Sequence, residues 1–188
     1  IVVALCRMSS FKPLSLLAQF YISILRGTPL MLQLMAFMFG PYYLLGMNMG
    51  TDWKFGACAV GFILNYSAYF AEIYRSGIQS IPKGQYEAAL VLGYSRSQTF
   101  FKIVLPQVIK RILPAMGNEI ITLVKDTSLA RIIALQEIIW AGQAFMKGSH
   151  GISGAIWPLF FTAVYYLIFN GILTVLLGRL EKKLEYFR

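Results

Sequence analysis

Apolar runs about as long as a bilayer is thick, separated by short charged segments, restrict what this 188-residue chain can fold into more than anything else in it. A hydrocarbon core of roughly 30 Å is crossed by about 20 apolar residues in a helix. Composition points the same way. Hydrophobic residues make up 57% of the chain and charged ones 13%, with a mean hydropathy of +0.63, which is too apolar for an ordinary soluble domain. The fold class expected is an all-α polytopic membrane protein, with residues 1–188 forming a single transmembrane domain.

Laid along the chain, the span length finds four spans and a remnant. Ile1 to Leu5 reads as the tail of a span whose start precedes this numbering, so five transmembrane helices are expected, the first truncated at its N terminus. Residues 9–26 mix Lys12, Pro13, Gln19 and Ser23 with Leu16, Phe20 and Leu25, the pattern of an elbow helix lying in the interface. Thr28 as a cap and Pro29 at the first helical position start the second span, which runs to about Gly46 and bends at Gly40-Pro41. Trp53 stands where interfacial aromatics belong, and Arg75 stops the third span after Tyr74. The fourth span runs from about Pro106 to Val124 and the fifth from about Ile156 to Leu180, with an irregular stretch between them from Lys125 to Gly154.

Charge sets the orientation. Of the 17 lysines and arginines, 13 fall on one side of this layout and four on the other, and the richer side is cytoplasmic. The segment at about 76–106 and the C terminus are then cytoplasmic, while the segment at about 125–155 and the N terminus are external. The net charge of +9 builds no continuous basic face, so lipid rather than nucleic acid is the expected surrounding. Cys6 and Cys58 lie in apolar sequence and His150 is the only histidine, which leaves no material for a disulfide framework or a metal site.

The cytoplasmic segment has its own punctuation. Pro82 starts a helix, Ala88 and Ala89 give it propensity and a slim surface, and Gly93 ends it where a left-handed residue costs least. Ser95 and Gln98 have the spacing of a capping box, so a second short helix runs toward Leu105 until Pro106 breaks the chain at the membrane. The expected product is a helix-turn-helix platform, which on composition alone is either a docking element or a plain link between spans.

Glu87-Ala88-Ala89, three residues, Gly93, nine residues, Ile103, one residue and Leu105-Pro106 meet every fixed position of the coupling motif of ABC importer permeases, which this segment resembles. Arg26-Gly27-Thr28-Pro29-Leu30, Ala71-Glu72-Ile73-Tyr74-Arg75 and Lys125-Asp126-Thr127-Ser128-Leu129 resemble the polar amino acid branch of that family. The resemblance implies a permease subunit in a bacterial or archaeal plasma membrane. It pairs with a second permease, identical or paralogous, with two cytoplasmic ATPase subunits and with an external solute-binding protein that delivers an amino acid. Glu87, Ala88, Ala89 and Gly93 form the coupling helix that moves with the ATPases. This chain is then a transport subunit and not an enzyme, without catalytic residues or a cofactor of its own, ATP and Mg belonging to the ATPases. No Gly-rich loop ending in Lys-Ser or Lys-Thr is present to cradle phosphates.

An ionisable side chain inside a span is costly, so it faces a cavity or a partner. Glu119 stands about 12 Å beyond Arg111 at a helical rise of 1.5 Å, close to the bilayer centre. Thr122 and Asp126 follow at i+3 and i+7 on the same face, and Asn65 adds an amide to the middle of the third span. These four are the candidate substrate-binding residues. Each has a plainer reading: Glu119 pairs with a base on a neighbouring span, Asn65 bridges helices by a hydrogen bond, and Asp126 caps a helix end. Glu72 and Arg75, at i and i+3, form a local ion pair or a gate contact.

In the amino acid branch a neutral amide is usual where Glu119 stands. The carboxylate therefore marks a basic substrate such as arginine, lysine or histidine. The alternatives are a neutral or acidic polar amino acid, such as glutamine or glutamate, and a membrane scaffold that anchors the ATPases without a substrate site.

Overall fold

The computed structural model describes residues 1–47, 49–50, 52–146 and 153–184. Among these residues the secondary structure is helical throughout: α1 Val2–Arg7, α2 Lys12–Gly27, α3 Leu30–Leu45, α4 Trp53–Gln79, α5 Lys83–Val91, α6 Arg96–Gln98, α7 Leu105–Asp126, α8 Ile138–Met146 and α9 Ser153–Leu184. Thr99–Val104 forms π-helical turns and Thr127–Ile133 a 3-10 helix. The positions 147–152, within the expected external segment, and Lys147 and Arg188, which enter the charge count, lie outside the described residues.

By length and composition one helix among the described residues, Trp157–Leu184, is apolar enough to cross a bilayer alone, and α2 with α3 passes as a pair bent by 106°. Helix α4 has 27 residues and α7 has 22, about 40 and 33 Å at the α-helical rise. Both have the length to span, but α4 carries Asn65, Glu72 and Arg75, and α7 carries Lys110, Arg111 and Glu119.

The 106° break lies where the sequence places the elbow, with a different cap. Pro29 rather than Thr28 occupies the N-cap position of α3, and the Thr28 hydroxyl donates to Ile24 O of α2 at 2.8 Å. A threonine directly before proline serves the helix it leaves. α3 then continues through Pro41 to Leu45. Pro41 has no N–H for Phe37 O, and the Trp53 indole at the start of α4 donates to that carbonyl at 3.0 Å.

Three further expectations are corrected. Arg75 does not stop α4: its guanidinium donates to Glu72 and to Gln79 Oε1 within the helix, so the helix runs on to Gln79 and ends at the turn before Pro82. Pro106 does not break the chain. It is the second residue of α7, and the π-helical turns precede it directly, where a regular helix would press the ring on the Lys102 carbonyl and need an amide proline lacks. Among the described residues the stretch after Lys125 is not irregular, since the 3-10 helix and α8 fill most of it. Ile139 and Trp140 donate their backbone N–H groups to the Glu137 carboxylate, at 2.7 and 2.6 Å, which caps α8.

Two compact units are formed, one from Ile1–Ser23, Ser67–Glu119 and the chain from Val175 onward, the other from Ile24–Tyr66 and Ile120–Thr174. The core of the first is Ile81, Val104, Val108 and Ile112, with Ile73, Ile78, Tyr86 and Phe100 packed against it. Gly77 permits this packing, because a methyl group at its position would run into Ile112. In the second unit Leu34 is fully buried, and a Cβ added at Gly61 would lie 2.6 Å from it.

Candidate functional site

The coupling-motif residues are built by local chemistry. Pro82 is the N-cap of α5, and Gly93 ends the helix with φ 79°. Its N–H donates to Leu90 O and that of Tyr94 to Ala89 O, both at 3.0 Å, which is a Schellman motif. Ser95 and Gln98 close the capping box: Gln98 N donates to Ser95 Oγ at 3.3 Å and Ser95 N to Gln98 Oε1 at 2.9 Å.

Glu87, Ala88 and Gly93 are exposed. Ala89 is not: at 1% exposure it faces the protein, so Ala88 alone supplies the small exposed side chain expected of both. Adjacent residues in a helix point about 100° apart, and α5 has a covered side. A cleft of about 330 Å³ is lined by Tyr86, Leu90, Arg96, Thr99 and Phe100. Beside it Val91 is 88% and Leu92 74% exposed.

Helix α7 is continuous from Leu105 to Asp126, so the helical register keeps Glu119, Thr122 and Asp126 on one stripe. Glu119 and Thr122 are half-buried. Asp126 ends the helix, but its side chain makes no cap. The Thr127 and Ser128 hydroxyls donate back to Val124 O and Lys125 O, while Asp126 Oδ2 accepts from the Tyr66 hydroxyl at 2.8 Å.

Asn65 is buried, 4% exposed, and belongs to a knot around Leu25 O. Residue 29 is proline, so no amide four residues on can reach that carbonyl. Gln33 Nε2 and Asn65 Nδ2 donate to it instead, at 2.9 and 3.1 Å. Asn65 Nδ2 also donates to Gln33 Oε1 at 3.0 Å, and Gln33 Nε2 to Thr28 Oγ1 at 2.8 Å. This is the helix-bridging geometry that the plainer reading of Asn65 describes.

Glu72 and Arg75 close a local pair. Arg75 Nη2 donates to Glu72 Oε2 at 2.6 Å, and both side chains keep partial exposure. Gln33 and Tyr66 are absent from the sequence-based candidates. Their signal was a proline four residues after a helical residue, whose carbonyl then calls for another donor, and a phenol inside a span, which calls for an acceptor.

The sequence pattern of the family described as binding-protein-dependent transport system inner membrane component matches residues 1–186. The chain is 39% identical over 185 residues to the arginine transport system permease protein ArtQ of Bacillus subtilis (strain 168), covering 98% of this chain and 82% of that protein. It is 38% identical over 168 residues to the glutamine transport system permease protein GlnP of Escherichia coli (strain K12), covering 88% of this chain and 73% of that protein. A crystal structure of an amino acid ABC transporter with histidines superposes with a TM-score of 0.84 at 34% identity, over 97% of this chain and 82% of the other.

Proposed function

Because the chain belongs to the family of binding-protein-dependent transport system inner membrane components, as a permease subunit of an amino acid ABC importer, we propose that it forms the translocation path for a basic amino acid. The observation that carries this reading is the stripe on α7, where Glu119 and Asp126 place two carboxylates and Thr122 a hydroxyl on one helical face. A carboxylate inside a span favours a cationic guest over a neutral one. The 39% identity to an arginine permease supports it.

In this reading five spans cross the inner membrane, with the N terminus outside and the C terminus in the cytoplasm. A second permease, identical or paralogous, completes the path, and an external solute-binding protein supplies substrate. Two ATPase subunits, which bind ATP and Mg, dock on the α5 platform around Glu87, Ala88 and Gly93. Rigid-body rocking of the spans then exposes the site to each side in turn. Glu72 and Arg75 at the inner end of the third span are the gate candidates.

A second reading is a neutral polar substrate, favoured by the 38% identity to a glutamine permease. The complex reconstituted with its ATPases and binding protein separates the two. With Glu119→Gln, arginine- and lysine-stimulated ATP hydrolysis and uptake should fall at least tenfold while glutamine responses hold or rise. Unchanged arginine and lysine responses would overturn the basic substrate.

A further inference from the structure

Tyr66 is 5% exposed, its ring lies parallel to that of Phe62 at 6.1 Å between centroids, and its hydroxyl reaches Asp126 across 60 positions of sequence. The preceding residue, Asn65, is fixed by Leu25 O and Gln33 Oε1, so the rotation of α4 about its own axis is set one residue from Tyr66. A turn of the helix that displaced Tyr66 from Asp126 would break the Asn65 knot as well. All of these residues belong to one compact unit.

We infer that Tyr66 is a positioning residue for the substrate site: its hydroxyl aims the Asp126 carboxylate, and the Leu25–Gln33–Asn65 knot holds the turn of α4 that carries it. Asn65 then serves the site through α4 and not by touching substrate. This inference rests on the proposal that Asp126 lies on the amino acid path. A carboxylate at the end of a helix can adopt several χ1 and χ2 settings, and each hydrogen bond that fixes one of them lowers the cost of ordering it when a cation binds. The donor also occupies one lone-pair direction of Oδ2, leaving Oδ1 and the remaining directions for the guest.

The test is a double-mutant cycle in the reconstituted complex with its ATPases and binding protein, reading arginine-stimulated ATP hydrolysis as a function of arginine-loaded binding protein, and arginine uptake. Tyr66→Phe keeps the buried ring and removes only the hydroxyl. It should raise the half-saturating concentration about tenfold, the scale of one hydrogen bond to a charged group, with a maximal rate within about twofold of wild type. In an Asp126→Asn background, Tyr66→Phe should have no further effect, because the carboxylate it aims is gone.

Thermal unfolding of the same complexes should place Tyr66→Phe within a few degrees of wild type, and Asn65→Leu should raise half-saturation in the same direction as Tyr66→Phe. If Tyr66→Phe matched wild type in a responsive complex, or if its effect persisted in full in the Asp126→Asn background, the inference would be overturned while the transport reading stood. A wild-type complex that responded to no amino acid would overturn both.

Discussion

Pro29 and Pro41 each remove the amide that a helical carbonyl four residues earlier would accept, and in each case a side chain from elsewhere takes its place. Leu25 O receives Gln33 and Asn65, and Phe37 O receives Trp53. Leu25 is buried, and a backbone carbonyl kept from water needs a protein donor, so these side chains are part of the backbone's hydrogen bonding rather than additions to it. Asn65→Leu should therefore lower the stability of the purified complex by about 1–2 kcal/mol, leaving Leu25 O and Gln33 short of a donor, seen as a lower Tm in thermal unfolding. An unchanged Tm would mean the knot contributes nothing. At this scale the sequence showed which residues were unusual: Asn65 and Glu119 stood out in apolar surroundings, and Asp126 fell at i+7 on the face of Glu119. Their partners were hidden, because a polar residue in a span announces a need and not the residue that meets it.

At the scale of elements, turn chemistry was legible almost residue by residue. Pro82, Gly93 and the Ser95–Gln98 box occupy the positions expected of them, because caps depend on residues within one turn of each other. The helix ends decided by proline read less well. Pro106 sits inside a continuous helix after π-helical turns, and Thr28 bonds to the helix before it. Gly93, at φ 79°, gives the sharpest test of the platform. A β-branched residue in that conformation costs about 1–2 kcal/mol, so Gly93→Val should loosen the end of α5. Substrate-stimulated ATP hydrolysis in the reconstituted complex should drop several-fold while half-saturation by loaded binding protein stays within about twofold. An equal shift in both quantities would argue against a coupling role for this turn.

At the scale of the whole molecule, length and polar content together decide which helices pass as spans. Only Trp157–Leu184 passes as a lone span among the described residues, because α4 and α7 carry polar and charged groups that lower their hydropathy. Orientation is tested directly by a single cysteine at Val91, 88% exposed, in a Cys6→Ser, Cys58→Ala background. In membranes without the ATPases, a membrane-impermeant maleimide should label it in inverted vesicles and not in intact cells. Labelling from outside would reverse the topology. The sequence by itself determined the membrane as solvent, the helical class and the caps and turns of the 82–98 segment, because hydropathy, propensity and capping act over a span or a turn. Only the tertiary structure decided that Ala89 faces inward, that Asn65 answers Pro29 and that Tyr66 holds Asp126. Those contacts join residues 40 and 60 positions apart, and packing alone chooses which of the available donors reaches a buried acceptor.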